Sequence, residues 1–140
     1  MTAVSLTRLY VLRAVYLLVA AGLLATVWPP LLSHSQGWPL MNGVVCSLLA
    51  ALSLLALLGL RYPLQMLPVL LFELAWKAIW LIAVALPLWR SDALDEATMA
   101  TVRDCLPALV LIPAIPWRYV LAHYLKAPGE RWTASPAAER

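Results

Sequence analysis

Apolar residues in this chain gather into four long runs, at about residues 9–28, 41–60, 64–88 and 106–125, separated by short stretches rich in proline and polar residues. Each run reaches the roughly 20 residues that a helix rising 1.5 Å per residue needs to cross a bilayer. The pattern predicts an all-α, polytopic membrane four-helix bundle over residues 1–126. Only Arg61-Tyr62-Pro63 separates the second run from the third, so those helices are expected to be antiparallel neighbours. Arg90 to Asp104 reads as a short amphipathic helix between the third and fourth spans. Asp92 would cap it, Asp95 and Glu96 suit its first turn, and Leu94, Ala97 or Thr98, and Thr101 or Val102 recur at helical spacing. From 127 to 140, Pro-Gly, Ser-Pro and scattered charges predict a flexible tail.

Composition sharpens the picture. The chain is 64% hydrophobic and 12% charged, with a mean hydropathy of +0.84, whereas soluble domains are about half apolar and about a quarter charged. An integral membrane protein is the expectation, with no separate soluble domain. Arg8 and Arg13 before an apolar run resemble a signal peptide, but Thr26-Val27-Trp28-Pro29-Pro30 offers no small-x-small cleavage site, so the first helix is read as retained. Trp28-Pro29-Pro30 is expected to end it.

The net charge of +3 is no nucleic-acid signal, but its distribution sets topology. Arg8, Arg13, Arg61, Arg118, Lys126, Arg131 and Arg140 fall on one side of the four spans. His34 lies in one opposite loop, and Arg90 and Arg103, diluted by Asp92, Asp95, Glu96 and Asp104, lie in the other. By the positive-inside rule both termini are cytoplasmic, N-in and C-in, and a bacterial inner membrane is the expected location.

Small residues and prolines modulate the spans. Ala20, Ala21, Gly22 and Ala25 in helix one would admit a close neighbour. In helix two, Gly43, Ser47 and Ala51 recur every fourth position beside a second stripe of Cys46, Ala50 and Ser53, which predicts a close-packed interior helix. Pro68 is expected to kink helix three, and Pro113 with Pro116 to kink helix four.

The third run carries Glu73 and Lys77, ionisable groups that are costly within a span and so mark a candidate site. They stand four apart, Glu first, in the favourable order on one helix face, with Trp76 and Trp80 beside them. Counted from a helix start at Leu64, Glu73 lies about 15 Å deep. With helices three and four antiparallel, Arg118 is expected within reach of Glu73. The candidate ligand-binding set is therefore Glu73, Lys77 and Arg118, with Arg13, Tyr16, Trp76, Trp80, Trp117 and Tyr119 around them. Arg13 either joins this network or snorkels to head groups. One carboxylate among several cations with aromatic walls suits an anionic or amphipathic ligand such as a lipid. A pair that merely fixes helix packing is the competing reading.

Enzymatic readings find little support. A membrane haem needs two histidines at one depth, and His34 and His123 are predicted on opposite sides. Cys46 and Cys105 form no C-x-x-C, though a structural disulfide between them stays open. His34 without a second ligand at suitable spacing is a weak metal signal. No phosphate loop, H-E-x-x-H or G-x-S-x-G occurs. No cofactor is implied.

In size, helix count and a carboxylate among tryptophans, the chain resembles the small multidrug transporters, dimers of four-helix subunits with one membrane carboxylate. Their carboxylate belongs to the first helix, whereas Glu73 is in the third beside Lys77. DoxX-like proteins are similar in size and helix count, without a shared motif. Three functions follow as expectations: a non-enzymatic inner-membrane protein binding membrane lipid, another amphipathic ligand or a partner helix; an oligomeric proton-coupled transporter using Glu73; or a structural subunit of a membrane complex.

Overall fold

A serine starts the first helix: Ser5 accepts the Arg8 N–H at 3.3 Å and so satisfies one of the donors a helix start leaves open. The computed structural model describes residues 3–33 and 39–132; His34, Trp38 and the last residues of the tail lie outside this range. Among the described residues all regular structure is helical. The elements are α1 (Leu6–Thr26), α2 (Trp28–Ser33), α3 (Leu40–Arg61), α4 (Leu67–Trp80), a π turn (Leu81–Ala85), α5 (Leu86–Arg90), α6 (Glu96–Cys105), a 3-10 turn (Leu106–Val110), α7 (Leu111–Ala114), α8 (Trp117–Val120) and a second π turn (Leu121–Lys126). They join into four helices long and apolar enough to span a membrane, Leu6–Ser33, Leu40–Arg61, Leu67–Arg90 and Glu96–Ala114.

Trp28-Pro29-Pro30 does not end the first span as expected. The prolines occupy the first turn of α2, where missing N–H groups cost nothing, and the chain stays helical to Ser33. The third span begins later than its apolar run, at Leu67, after a turn through Pro63. Pro68 therefore lies in the first turn of α4 rather than at a kink inside it. Glu73 is accordingly under two turns from the helix start, about 9 Å.

The fourth span also departs from expectation. Asp95, not Asp92, caps α6, accepting the Thr98 N–H at 2.8 Å. Asp92 instead takes φ 52° in the turn after α5, a left-handed conformation that aspartate adopts more readily than most residues. From Glu96 the helix runs on through the 3-10 turn to Ala114. The amphipathic piece and the first half of the expected 106–125 span are thus one helix. It stops because Pro116 drives the preceding Ile115 out of the α region, to ψ 127°.

Packing is uneven along the bundle. Leu12, Val15, Tyr16 and Ala20 of α1 meet Leu52 and Ala56 of α3, Leu67 and Leu70 of α4, and Ala108, Leu111 and Ile115 of the fourth span. Most of these lie toward the end that holds the α1 start, the α3–α4 turn and the break at Ile115. This is termed the basic end. At its centre the buried Tyr16 ring lies flat against Gly59 and donates its hydroxyl to the Pro63 carbonyl at 2.8 Å. Toward the opposite, acidic end, around Ser91 to Asp95, few residues are buried, and the helices leave grooves.

Two outcomes test this arrangement. A methyl group at Gly59 would collide with the buried Tyr16 ring, so Gly59→Ala is expected to lower stability by about 1–3 kcal/mol in a reversible detergent-unfolding titration. Hydrogen bonding from Thr98 holds the exposed Asp95 carboxyl below its ordinary 3.8. A group depressed on folding stabilises above its unfolded pKa and stops doing so as pH falls through the folded one. Amide protection in the first turn of α6 is expected to fall below about pH 3.8, and Asp95→Asn to remove that dependence.

Candidate functional site

Glu73 is the last buried residue of α4, at 3% exposure, where the packed half of the bundle gives way to the open half. Helical spacing puts Trp76 and Lys77 three and four residues on, over the same face. Lys77 Nζ lies 2.5 Å from Glu73 Oε1, and Trp76 Nε1 donates to Glu73 Oε2 at 2.8 Å. The ammonium also sits 5.5 Å from the Trp76 ring centroid, within range of a cation–π attraction. Both carboxylate oxygens are therefore engaged by their own helix. Trp80 continues the aromatic stripe one turn further, partly buried. The buried, free Cys105 lies in the field of Lys77, Glu73 and Asp104. Cys46 is also free, so no bridge joins the two.

The remaining candidates gather elsewhere, at the basic end. Arg13 Nε donates to the Leu60 carbonyl at 3.0 Å, where α3 ends, and its guanidinium lies 5.5 Å from the Tyr10 ring centroid. A cation at a helix C-terminus meets both unpaired carbonyls and the negative end of the dipole. Tyr16 contacts Gly59 and Pro63. Arg118 is exposed on α8 and makes no ion pair with Glu73. Trp117 Nε1 donates to the Ile112 carbonyl at 2.7 Å, replacing the N–H that Pro116 lacks. Tyr119 stacks on His123, with centroids 5.0 Å apart and planes at 14°. The structure thus divides the predicted constellation into a closed Glu73–Trp76–Lys77 cluster and a basic, aromatic end.

Arg8, which the charge pattern places only on the basic side, makes a structural contact that this pattern does not announce. Arg8 Nη2 donates to the carbonyls of Pro113 and Ile115, at 3.1 and 3.3 Å, and closes the end of α7. The signal was there in Pro113 and Pro116, since a helix broken by proline leaves carbonyls that a long donor must reach.

Two grooves lie in the open half. The larger, about 580 Å³, is lined by Leu31 of α2 and by Leu40, Gly43, Val44, Ser47, Leu48 and Ala51 of α3. The smaller, about 240 Å³, lies between Leu81, Ala85 and Trp89 on one side and Leu94, Met99 and Val102 on the other. The Gly43-Ser47-Ala51 stripe therefore faces outward instead of packing inside the bundle, and a Cβ at Gly43 would meet nothing within 4 Å among the described residues. Its neighbour turns in: Ala50 and Ser53 are buried, and Ser53 accepts the Trp28 indole N–H at 3.0 Å. Among the described residues no cluster of His, Cys, Asp or Glu has the makings of a metal site.

Compared with known proteins, the chain matches no family model, no curated protein and no solved structure.

The closed cluster makes a specific energetic claim. Removing one member of a buried ion pair costs about 3–5 kcal/mol, whereas replacing both by apolar or neutral groups is often close to neutral. Lys77→Met is expected to destabilise strongly in detergent unfolding, and Glu73→Gln with Lys77→Met to recover most of the loss. A double variant as unstable as the single one would contradict the pairing.

Proposed function

We propose that this chain is a non-enzymatic integral protein of a bacterial inner membrane, both termini cytoplasmic, that works by helix–helix association, with α3 packing against α3 of a second copy. The observation that carries this reading is the outward-facing stripe of Gly43, Ser47 and Ala51 on the floor of the larger groove. In lipid, apolar area alone does not drive helices together, because the acyl chains are as apolar as leucine. Small residues matter because they let two backbones approach to dispersion distance. A two-fold axis along the membrane normal would set each stripe against its copy, small residue on small residue, which is the self-complementarity that such an axis demands.

The Glu73–Lys77 cluster supports the same reading. Its oxygens are engaged from within α4, so it serves packing at the boundary between the tight and open halves, and the surface left for a partner is the groove side of α3. Retention of charge on Arg8, Arg13, Arg61, Arg118 and Lys126 at one end supports the N-in, C-in orientation.

Association in bilayers tests this reading. Wild type is expected to dimerise as its protein-to-lipid ratio rises, read by single-molecule photobleaching. Ser47→Leu fills the groove from an exposed position and is expected to weaken the dimer about tenfold, about 1.4 kcal/mol. A wild-type chain that stays monomeric, or a Ser47→Leu chain that associates unchanged, overturns it.

A further inference from the structure

We infer that the basic end of the bundle is a binding surface for anionic phospholipid head groups, with the segment from Trp117 to Lys126 as its interfacial element. Two anchors hold that segment across the end. At its start, Arg8 closes the Pro113 and Ile115 carbonyls. Near its finish, the Tyr124 hydroxyl donates to the Leu64 carbonyl at 3.4 Å, in the α3–α4 turn. The segment thus bridges from the α1 start to that turn and brings Arg118 and Lys126 to the same end as Arg61.

Its faces divide as an interfacial helix requires. Val120 is buried and Tyr119 half-buried against the core. Leu121 and Leu125 point away, with Leu125 74% exposed, and Trp117 and Arg118 share that outer side. Apolar side chains flanked by cations and aromatic rings fit the boundary between head groups and acyl chains.

Charge complementarity names the occupant. Arg61, Arg118 and Lys126 are exposed and make no ion pair among the described residues. Arg61 lies 5.4 Å from the Tyr62 ring centroid. No carboxylate occurs from residue 3 to residue 66 or from 115 to 129, and Glu130 beyond is followed directly by Arg131. At the other end Asp92, Asp95, Glu96 and Asp104 outnumber Arg90 and Arg103, and Arg103 lies 3.9 Å from Glu96. A phosphodiester anion therefore finds free guanidinium forks at the basic end and competing carboxylates at the acidic one.

The test compares two equal removals of charge on the full chain in mild detergent. Retention of phosphatidylglycerol and of phosphatidylcholine with the same acyl chains is read by native mass spectrometry. Wild type is expected to keep phosphatidylglycerol in preference. Each surface cation contributes about fivefold to such binding, so Arg61→Gln with Arg118→Gln is expected to weaken phosphatidylglycerol retention about 25-fold. Arg90→Gln with Arg103→Gln should leave it unchanged. Equal losses in the two Gln pairs, or no preference for phosphatidylglycerol in wild type, overturns the proposal. Should the Arg61/Arg118 Gln pair not fold, Lys126→Gln alone is expected to weaken retention about fivefold, and wild-type retention in that variant overturns it equally.

Discussion

A backbone carbonyl that loses its helical partner must find another donor, and in apolar surroundings each failure costs several kcal/mol. That constraint organises the basic end. Pro116 takes away the donor for Ile112, and the Trp117 indole supplies one. The end of α7 leaves Pro113 and Ile115 to Arg8. The end of α3 leaves Leu60 to Arg13, and the turn beyond it leaves Pro63 to Tyr16, while the Tyr124 hydroxyl joins the Leu67 N–H on the Leu64 carbonyl. Arg8 and Arg13 are five residues apart on α1, which turns them to different neighbours, one to the fourth span and one to α3. The first helix thereby fastens both.

This fastening explains why the core gathers at one end. Tyr16 lies flat on Gly59 only because α1 and α3 are drawn close there, and the buried residues of α4 run from Leu67 to Glu73 and then stop. Beyond Glu73, among the described residues, no comparable set of polar contacts draws the spans together, except for the Trp28–Ser53 bond. The grooves on α3 and beside the Leu81–Ala85 turn follow from that difference.

The presence of the first three spans, though not all their ends, and the shared face of Glu73 and Lys77 were legible in the sequence, because apolar length and i,i+4 spacing are local properties. The start of the fourth span was not. Arg103 and Asp104 interrupt its hydropathy, so a purely apolar window slides toward 106–125, whereas the Asp95 cap and the Pro116 stop set the helix at Glu96–Ala114. That shift of about ten residues carries Arg118 past the end of the span and away from Glu73. The contacts of Arg13 and Tyr16 are hard to read from the sequence for a related reason. Their partners are main-chain carbonyls, which exist at every position and leave no mark in composition.

Were these four spans to enter a bilayer, the placement of Glu73 and Lys77 on one helix would matter. A charge partnered across two helices stays exposed to lipid until both have inserted and met. Here the partners belong to one helix, so neutralisation is complete once four residues have coiled, before any neighbour arrives. In a bilayer, the third span would thus be a self-contained unit, independent of the order in which the other spans assemble around it.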